Sequence, residues 1–329
     1  MSSKFGYKNL RKYTLVSVNL TLWCMCISTN RLIGIFGNSG FIGSSLIASL
    51  PSCIGISYRE NDWKSKVINC ESVINLIGKA HDHSGNFTKE DFFNVNVEIS
   101  KDIFKNFINS EAKLFVHISS ISAIEEYESN KELKENDICS PESWYGKSKR
   151  EAERWLLSQP LPNDKKIIII RPPMVHGAGD KGNLKLLYKL ISRGIPYPLS
   201  SFENKRSFIS IDNFCFYIQQ IIQNPDKLES GIYHIADEEP ISTIEIINII
   251  KKVTNKNVPN IVLPKGLVKA IARFGDRLSI PLNSKRLKKL TSNLLVSNEK
   301  IKKALNIEEL PLTAKEGLEK TINSFLNNK

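Results

Sequence analysis

Acid and cysteine are what this sequence is short of. Across 329 residues, 34 aspartates and glutamates stand against 46 lysines and arginines, a net charge of +12. Lysine supplies 35 of the 46, spread along the whole chain with no arginine-rich arm. That excess favours anionic partners in general without choosing among nucleic acid, membrane and nucleotide. The six cysteines, Cys24, Cys26, Cys53, Cys70, Cys139 and Cys215, include no C-x-x-C pair. A chain of this length needs no covalent staples, so six free thiols and a reducing, cytoplasmic compartment are expected. Internal repeats and low-complexity tracts are absent, and no apolar run reaches the ~20 residues of a spanning helix. With 41% hydrophobic and 24% charged residues, the composition excludes disorder, collagen and coiled coil.

The first 30 residues stand apart. Lys4, Lys8, Arg11 and Lys12 precede a mostly apolar stretch, 13–26, in the order of a secretion signal. Ser17, Asn19 and Thr21 interrupt that stretch, and no A-x-A-like site stands before Arg31. Met25 lies six residues ahead of the first strand. Residues 1–30 therefore read as a leader or extension outside the fold, with no stable membrane insertion.

From Arg31 short β-branched runs alternate with longer amphipathic segments, the pattern of parallel strands and crossover helices. Strands are expected near 31–36, 53–58, 73–77, 113–118 and 166–171, with helices over 41–50, 90–109 and 143–158. The fold class is α/β, a doubly wound parallel sheet buried on both faces. After Arg171 the rhythm loosens into Pro- and Gly-rich loops, with strands near 207–211 and 231–235 and helices near 213–223, 242–254 and 313–327. The expected division is a dinucleotide-binding domain over 31–171 and a smaller, mixed lobe over 172–329, with exchange of segments between them open.

The first chemical signal is Gly37-Asn-Ser-Gly40-Phe41-Ile42-Gly43, between an expected strand and an expected helix. Glycine suits such a turn because the backbone must approach a pyrophosphate closely, and the open N–H groups of the helix start attract the anion. The spacing is G-x-x-G-x-x-G rather than the G-x-G-x-x-G of two-domain dehydrogenases. At the end of the second strand, where a carboxylate would hold the ribose hydroxyls, stands Arg59, followed by Glu60. An arginine suits a 2′-phosphate, which favours NADP over NAD, while Glu60 keeps NAD open. Arg59 as a solvated strand-end charge is the plain alternative.

The second signal is Tyr145-Gly-Lys-Ser-Lys149. Spaced i and i+4 on a helix, phenol and ammonium share a face, where the positive charge favours the phenolate and makes the tyrosine usable in proton transfer. Ser120 follows the strand Leu114 to Ile118, and a hydroxyl at a strand's carboxyl end lies where open α/β sheets place ligand chemistry.

Taken together, Gly37-x-x-Gly40-x-x-Gly43, His117-Ile-Ser119-Ser120, Tyr145-x-x-x-Lys149 and Arg171-Pro-Pro-Met-Val-His-Gly177 resemble the extended branch of the short-chain dehydrogenase/reductase superfamily, over about residues 31–329. The resemblance implies a Rossmann-like NAD(P)-binding domain with Ser120, Tyr145 and Lys149 as the catalytic trio, and Ser119 as the alternative hydroxyl. It places Phe41, Ile42, Tyr145 and Lys149 at the cofactor beside the three glycines and Arg59. Asn96, in Asn94-Val-Asn96-Val, resembles the asparagine of the helix between the fourth and fifth strands and joins that cofactor group. Within the branch the chain is similar to nucleotide-sugar enzymes working at carbon 4 of a hexose, on Lys181-Gly-Asn183-Leu184, Pro196 to Leu199 and Asn204-Lys-Arg206 through Asn213. This implies a nucleotide-diphosphate sugar as substrate, with Asn183 and Leu184 beside the diphosphate and Arg206 paired with a phosphate, a match for a guanidinium fork. Leu294-Leu-Val-Ser297-Asn298 departs from the family pattern, in which an arginine and an aspartate often stand there. A homodimer through the Tyr145 helix is also implied.

Two reactions share this machinery: 4-epimerisation of a sugar such as UDP-glucose or UDP-N-acetylglucosamine, and NADPH-dependent reduction of a UDP-4-keto-6-deoxy sugar in bacterial surface-polysaccharide synthesis. Arg59 favours the reductase. Dehydration wants an acid-base carboxylate pair where Ile121-Ser122 stands. A catalytically silent dinucleotide sensor is a further class, against which the retained trio argues. His81 and His83 have no partner at metal-ligand spacing, so no metal is assigned. Lys285-Arg286-Leu-Lys288-Lys289 reads as a solvated helix face or a contact with an anionic membrane, and the lack of stacking aromatics beside it argues against nucleic acid. Trp144 fits a sugar pocket or core packing equally.

Overall fold

The β-branched runs pair side by side in parallel: β1 (Ile33–Phe36), β2 (Cys53–Ile56), β3 (Ser72–Asn75) and β4 (Leu114–Ile118) carry the first half of the sheet. Beyond them, the short β5 (Glu132–Leu133) lies outside the sheet, while β6 (Lys166–Arg171) pairs with β4. The computed structural model describes residues 32–80, 87–180, 182–197, 199, 201–259, 261–276 and 284–327, without the side chains of 285 and 286. The expectations for residues 1–30, Cys24, Cys26, His81, His83 and Lys181 lie outside the described residues. Further along come β7 (Met174–His176), β8 (Phe208–Ser210), β9 (Gly231–His234) and β10 (Leu295–Val296). Sheet order is β2-β1-β3-β4-β6-β9, with β7 paired to β8 and β5 to β10 in two small parallel ribbons. Thus β9, from the second half of the chain, completes the main sheet against β6.

Crossover helices cover both faces: α1 (Phe41–Ser49), α2 (Trp63–Ile68), α3 (Lys89–Phe93), α4 (Ile99–Ile108) and α5 (Trp144–Ser158). In place of a single helix over 90–109, α3 and α4 are joined by a π turn, Asn94–Glu98. The second half adds α6 (Asn183–Ser192), α7 (Ile211–Gln223), α8 (Thr243–Thr254), α9 (Lys265–Gly275), α10 (Ser284–Thr291), α11 (Glu299–Leu305) and α12 (Ala314–Asn327). Among the described residues, no helix is long and apolar enough to cross a membrane.

Period-two alternation sorts the strands between two cores. Ile33, Ile35, Val116, Ile118, Ile168 and Ile170 meet Leu46 of α1, Ile218 and Ile221 of α7, and Ile301 of α11. Phe36, Phe115, Ile167 and Ile169 face the other way, onto Trp63, Phe104, Phe107 and Leu156. Each such side chain contributes roughly 1.5–3 kcal/mol on full burial. A third core, built from α6, α8, α9 and α12, forms the later lobe. The chain steps from β1 outward to β2 and then returns past β1 to β3. Loops leaving β1 and β3 therefore part in opposite directions, opening the crevice where doubly wound sheets bind ligands.

Buried polar groups stitch the later segments to the sheet. Asp237 accepts from Ser210 N and from Asn213 Nδ2, Asn213 exchanges two hydrogen bonds with the Leu312 backbone, and His176 Nδ1 lies 2.9 Å from Thr321 Oγ1. Burial holds His117 well below the usual histidine range and lowers His176 to about 4 and His234 to about 3. The folded state refuses protons that the unfolded chain accepts near pH 6.5, so the stability these neutral rings provide is complete above 6.5 and is lost as pH falls towards 4 and 3. Asp237, raised to about 6 by burial, opposes this between pH 6 and 4 as a single group against three. Denaturant unfolding should therefore show a net stability loss on the order of 3 kcal/mol between pH 7.5 and 5. An unchanged midpoint would contradict this reading of the buried histidines.

Candidate active site

The glycine turn starts where β1 ends. Gly37 has φ +80°, the left-handed region that glycine adopts at no steric cost. A Cβ on Gly43 would stand 2.2 Å from Gly37 O, so the first turn of α1 packs directly on the loop. Gly40 caps α1 without a side-chain hydrogen bond, and no acid occupies the first turn. The N–H groups of Phe41, Ile42 and Gly43 are left open to an anion, which fits a dinucleotide pyrophosphate. Ile42 packs its side chain on the core, so only its backbone belongs to this cradle. The Phe41 ring lies against the loop after β7, within 3.2 Å of where a Cβ on Gly177 would be.

At the end of β2, Arg59 is exposed and has no hydrogen bond or ion pair among the described residues. Glu60 is bonded to Lys66, which also meets Asp62 at 3.4 Å. The arginine is thus the uncommitted charge of the two.

Strand alternation separates the two candidate hydroxyls. Ser119 points inward, 4% exposed, and donates to Glu153 Oε1 at 2.6 Å. Ser120 stays half-buried, accepts from Ser122 N at 3.2 Å and stands beside the Tyr145 phenol, whose ionised form it favours. Of the two, Ser120 is the hydroxyl that meets the tyrosine. The i and i+4 spacing in α5 places Lys149 behind it, 3% exposed, with Nζ donating to Ile118 O at 2.8 Å. Burial lowers this ammonium to about 8. The phenol is pushed up by its own burial, pulled down by Ser120 and pushed up again by Glu126. Here the structure differs from the expectation that Lys149 lowers the tyrosine. Desolvation dominates, and the ammonium is held by the Ile118 carbonyl.

Sequence reasoning missed three neighbours. A Cβ on Gly78 would stand 2.9 Å from Lys149 Nζ, so the residue just beyond β3 must be small to admit the ammonium. Ser143 caps α5 by accepting from Gly146 N at 3.0 Å, and Glu126, 6% exposed, accepts from both the hydroxyl and the N–H of Ser143. Only a glycine immediately past a strand at the sheet reversal offered a signal for Gly78. Glu126 sits in an acidic loop whose inward direction the sequence does not show.

Asn96 is fully buried, and its amide is spent on structure: Nδ2 donates to Lys79 O and Ser148 Oγ, while Oδ1 accepts from Lys79 N at 2.7 Å. It holds the 78–79 loop beside Lys149. Arg206 Nη1 donates to Tyr127 O and Ser292 O, both at 3.1 Å, and burial without a carboxylate partner lowers the guanidinium to about 10. Such a desolvated cation fits an anionic ligand. Asn183 is exposed at the first position of α6, whereas the Leu184 side chain lies in the lobe core, leaving only its backbone for a ligand. The 294–298 stretch is committed to structure: Leu295 and Val296 pair with β5, and Asn298 Nδ2 donates to Ala236 O. Trp144 is 44% exposed, with Lys147 Nζ 4.8 Å from its ring centre, on the outside of α5. Cys53, Cys70, Cys139 and Cys215 are free thiols, and the described residues contain no cluster able to hold a metal ion.

The cradle makes a direct prediction. Gly43→Ala must displace backbone rather than a side-chain tip, so affinity for NADH, followed by fluorescence titration, should fall at least ~10-fold, about 1.4 kcal/mol. Unchanged affinity would place the dinucleotide elsewhere.

Comparison with known proteins agrees with this architecture. The model of the NAD dependent epimerase/dehydratase family matches residues 33–236. A UDP-glucose 4-epimerase of Vibrio cholerae is 27% identical over 342 aligned positions, covering 93% of this chain and all of that protein. Among solved structures, UDP-glucuronic acid 4-epimerase of Bacillus cereus, in complex with UDP-glucuronic acid and NAD, superposes with a TM-score of 0.70 at 16% identity, over 91% of this chain and 100% of that one. RMD of Pseudomonas aeruginosa, complexed with NADPH, superposes at 0.68 with 15% identity over the same shares. The glycine turn, the parallel sheet and the Tyr145 helix thus lie within a matched stretch that covers more than half of the chain: it belongs to the NAD dependent epimerase/dehydratase family.

Proposed function

We propose that this protein acts at carbon 4 of a nucleotide-diphosphate hexose and inverts it, as a 4-epimerase. The observation that carries the reading is the Tyr145 phenol beside Ser120, with the buried Lys149 ammonium one turn away on Ile118 O, at the carboxyl ends of the strands beside the glycine cradle. Tyr145 takes the proton of the C4 hydroxyl and later returns it, while Ser120 donates to the same oxygen as its charge develops. The residues of the cradle and Lys149 would hold a nicotinamide dinucleotide, which supplies the acceptor and donor of the C4 hydride. Arg206, free of any carboxylate among the described residues, binds the substrate diphosphate, with the start of α6 at Asn183 and Leu184 alongside. Inversion requires that the 4-keto sugar present its other face before the hydrogen returns. Support for epimerisation over other outcomes comes from the Vibrio cholerae 4-epimerase, aligned along its entire length.

One observation favours a second reading. Arg59 is uncommitted while Glu60 is held by Lys66, an arrangement suited to the 2′-phosphate of NADP and hence to a 4-keto-6-deoxy-sugar reductase.

Purified protein incubated with UDP-glucose or UDP-N-acetylglucosamine and no added cofactor should interconvert the C4 epimers. Stoichiometric loss of NADPH with a UDP-4-keto-6-deoxy sugar, and no epimer formation, would replace epimerisation by reduction. Tyr145→Phe should lower kcat by ~10²–10⁴ while NADH affinity stays within about twofold. A fully active variant would remove the tyrosine from the chemistry. Arg59→Glu should weaken NADPH at least ~10-fold and spare NADH if the arginine reads the 2′-phosphate.

A further inference from the structure

The loop after Ser120 turns a carboxylate inward, onto the start of α5. Glu126 is 6% exposed and has no cationic partner among the described residues. Both of its oxygens are occupied by one residue: Oε1 accepts from the Ser143 hydroxyl and Oε2 from Ser143 N at 3.2 Å. Ser143 in turn caps α5 through Gly146 N. The fit is close on every side, since a Cβ on Gly146 would stand 2.5 Å from Glu126 Oε1 and 2.4 Å from Ser122 O. Tyr145 lies between the capping serine and this glycine, so the loop that carries Ser120 grips the start of the helix that carries the phenol.

We propose that Glu126 is a positioning residue for the reaction at carbon 4: through Ser143 it fixes the first turn of α5 against the Ser120 loop, and its negative charge tunes the Tyr145 phenol. The inference rests on the reading of Tyr145 as the proton-transfer group. It assigns the acid a role distinct from dehydration, because both oxygens are already bound within the chain. A carboxylate in this place disfavours the phenolate, and Glu126 pushes the Tyr145 phenol up in addition to its burial. Its neighbours are otherwise engaged. Glu125 accepts from the backbone of Glu126 and Tyr127, and Glu153 is bound by Arg171, Arg150 and Ser119. Lys89 of α3 and Lys147 lie over the Trp144 ring, and the Lys149 ammonium is on Ile118 O. His117 of β4 is buried and neutral, and the Tyr127 phenol, pushed up by its burial and then by Glu126, Glu142 and Glu125, is a second phenol that feels the Glu126 charge. The same negative charge that costs the phenolate leaves Tyr145 protonated and ready to donate when a 4-keto oxygen must be reprotonated.

The test is the pH profile of kcat/KM for the alcohol-consuming direction in the full chain, with folding followed by circular dichroism. Glu126→Gln keeps the shape and removes the charge, so the acidic limb should move down by about one pH unit. Ser143→Ala keeps the charge and loosens the cap, so it should lower kcat several-fold with the limb in place. If Glu126→Gln does not fold, Glu126→Asp, which draws the charge back by one methylene, should move the limb in the same direction by a smaller amount. A wild-type limb in the folded Glu126 variant, with Tyr145→Phe inactive, would overturn this inference alone. An active Tyr145→Phe would instead overturn the reading on which it rests.

Discussion

A single buried ion pair decides where the chemistry can be. Arg171, at the end of β6, donates Nε and Nη2 to the two oxygens of Glu153 in α5 at 2.7 and 2.6 Å, and both side chains are fully buried. A bidentate pair of this kind has one geometry, and removing one partner strands the other charge at a cost of about 3–5 kcal/mol. The pair sets the rotation of α5 about its axis: with Glu153 turned to the sheet, Lys149 one turn earlier reaches Ile118 O, and Tyr145 one turn before that reaches Ser120. It also claims Ser119 for Glu153, which leaves its neighbour as the available hydroxyl.

The electrostatics of the cleft follow from burial more than from pairing. Lys149 and Arg206 are lowered because water is excluded from them, an effect that the charge of Glu153 offsets only in part at Lys149 and that is the sole cause at Arg206. Groups in that condition gain when an anion or an anionic oxygen arrives, since the ligand supplies what the fold withholds. The first turn of α1 has the same character in its uncapped N–H groups. Cradle, ammonium and guanidinium are three separate places where the folded chain keeps positive potential in reserve, which gives the overall excess of basic residues a local meaning.

Much of this was legible in the sequence because it is local. The glycine spacing, the tyrosine and lysine one turn apart and the serine past a strand depend on residues that stay together along the chain, and the first five sheet strands lie within a few residues of their expected places. What was not legible depends on distant partners. The helices Asn183–Ser192 and Lys265–Gly275 stand beside proline and glycine that broke the rhythm, and they are held by a core assembled from four segments. The π turn at Asn94–Glu98 keeps Asn96 on Lys79 and Ser148, neither of which its own helix reveals. Whether Ser119 or Ser120 meets the phenol turns on Glu153, more than 30 residues away, and the direction of Glu126 on a serine 17 residues later.

In the proposed reaction hydrogen leaves and returns at carbon 4 as hydride, with Tyr145 handling only the proton on oxygen. The direct measurement is turnover of a nucleotide sugar deuterated at C4, with the product read by mass spectrometry and NMR. Retention of the label at C4 of the inverted sugar, accompanied by a slower rate, is the predicted result. Exchange of the label into solvent would mean proton abstraction from carbon and would contradict the account.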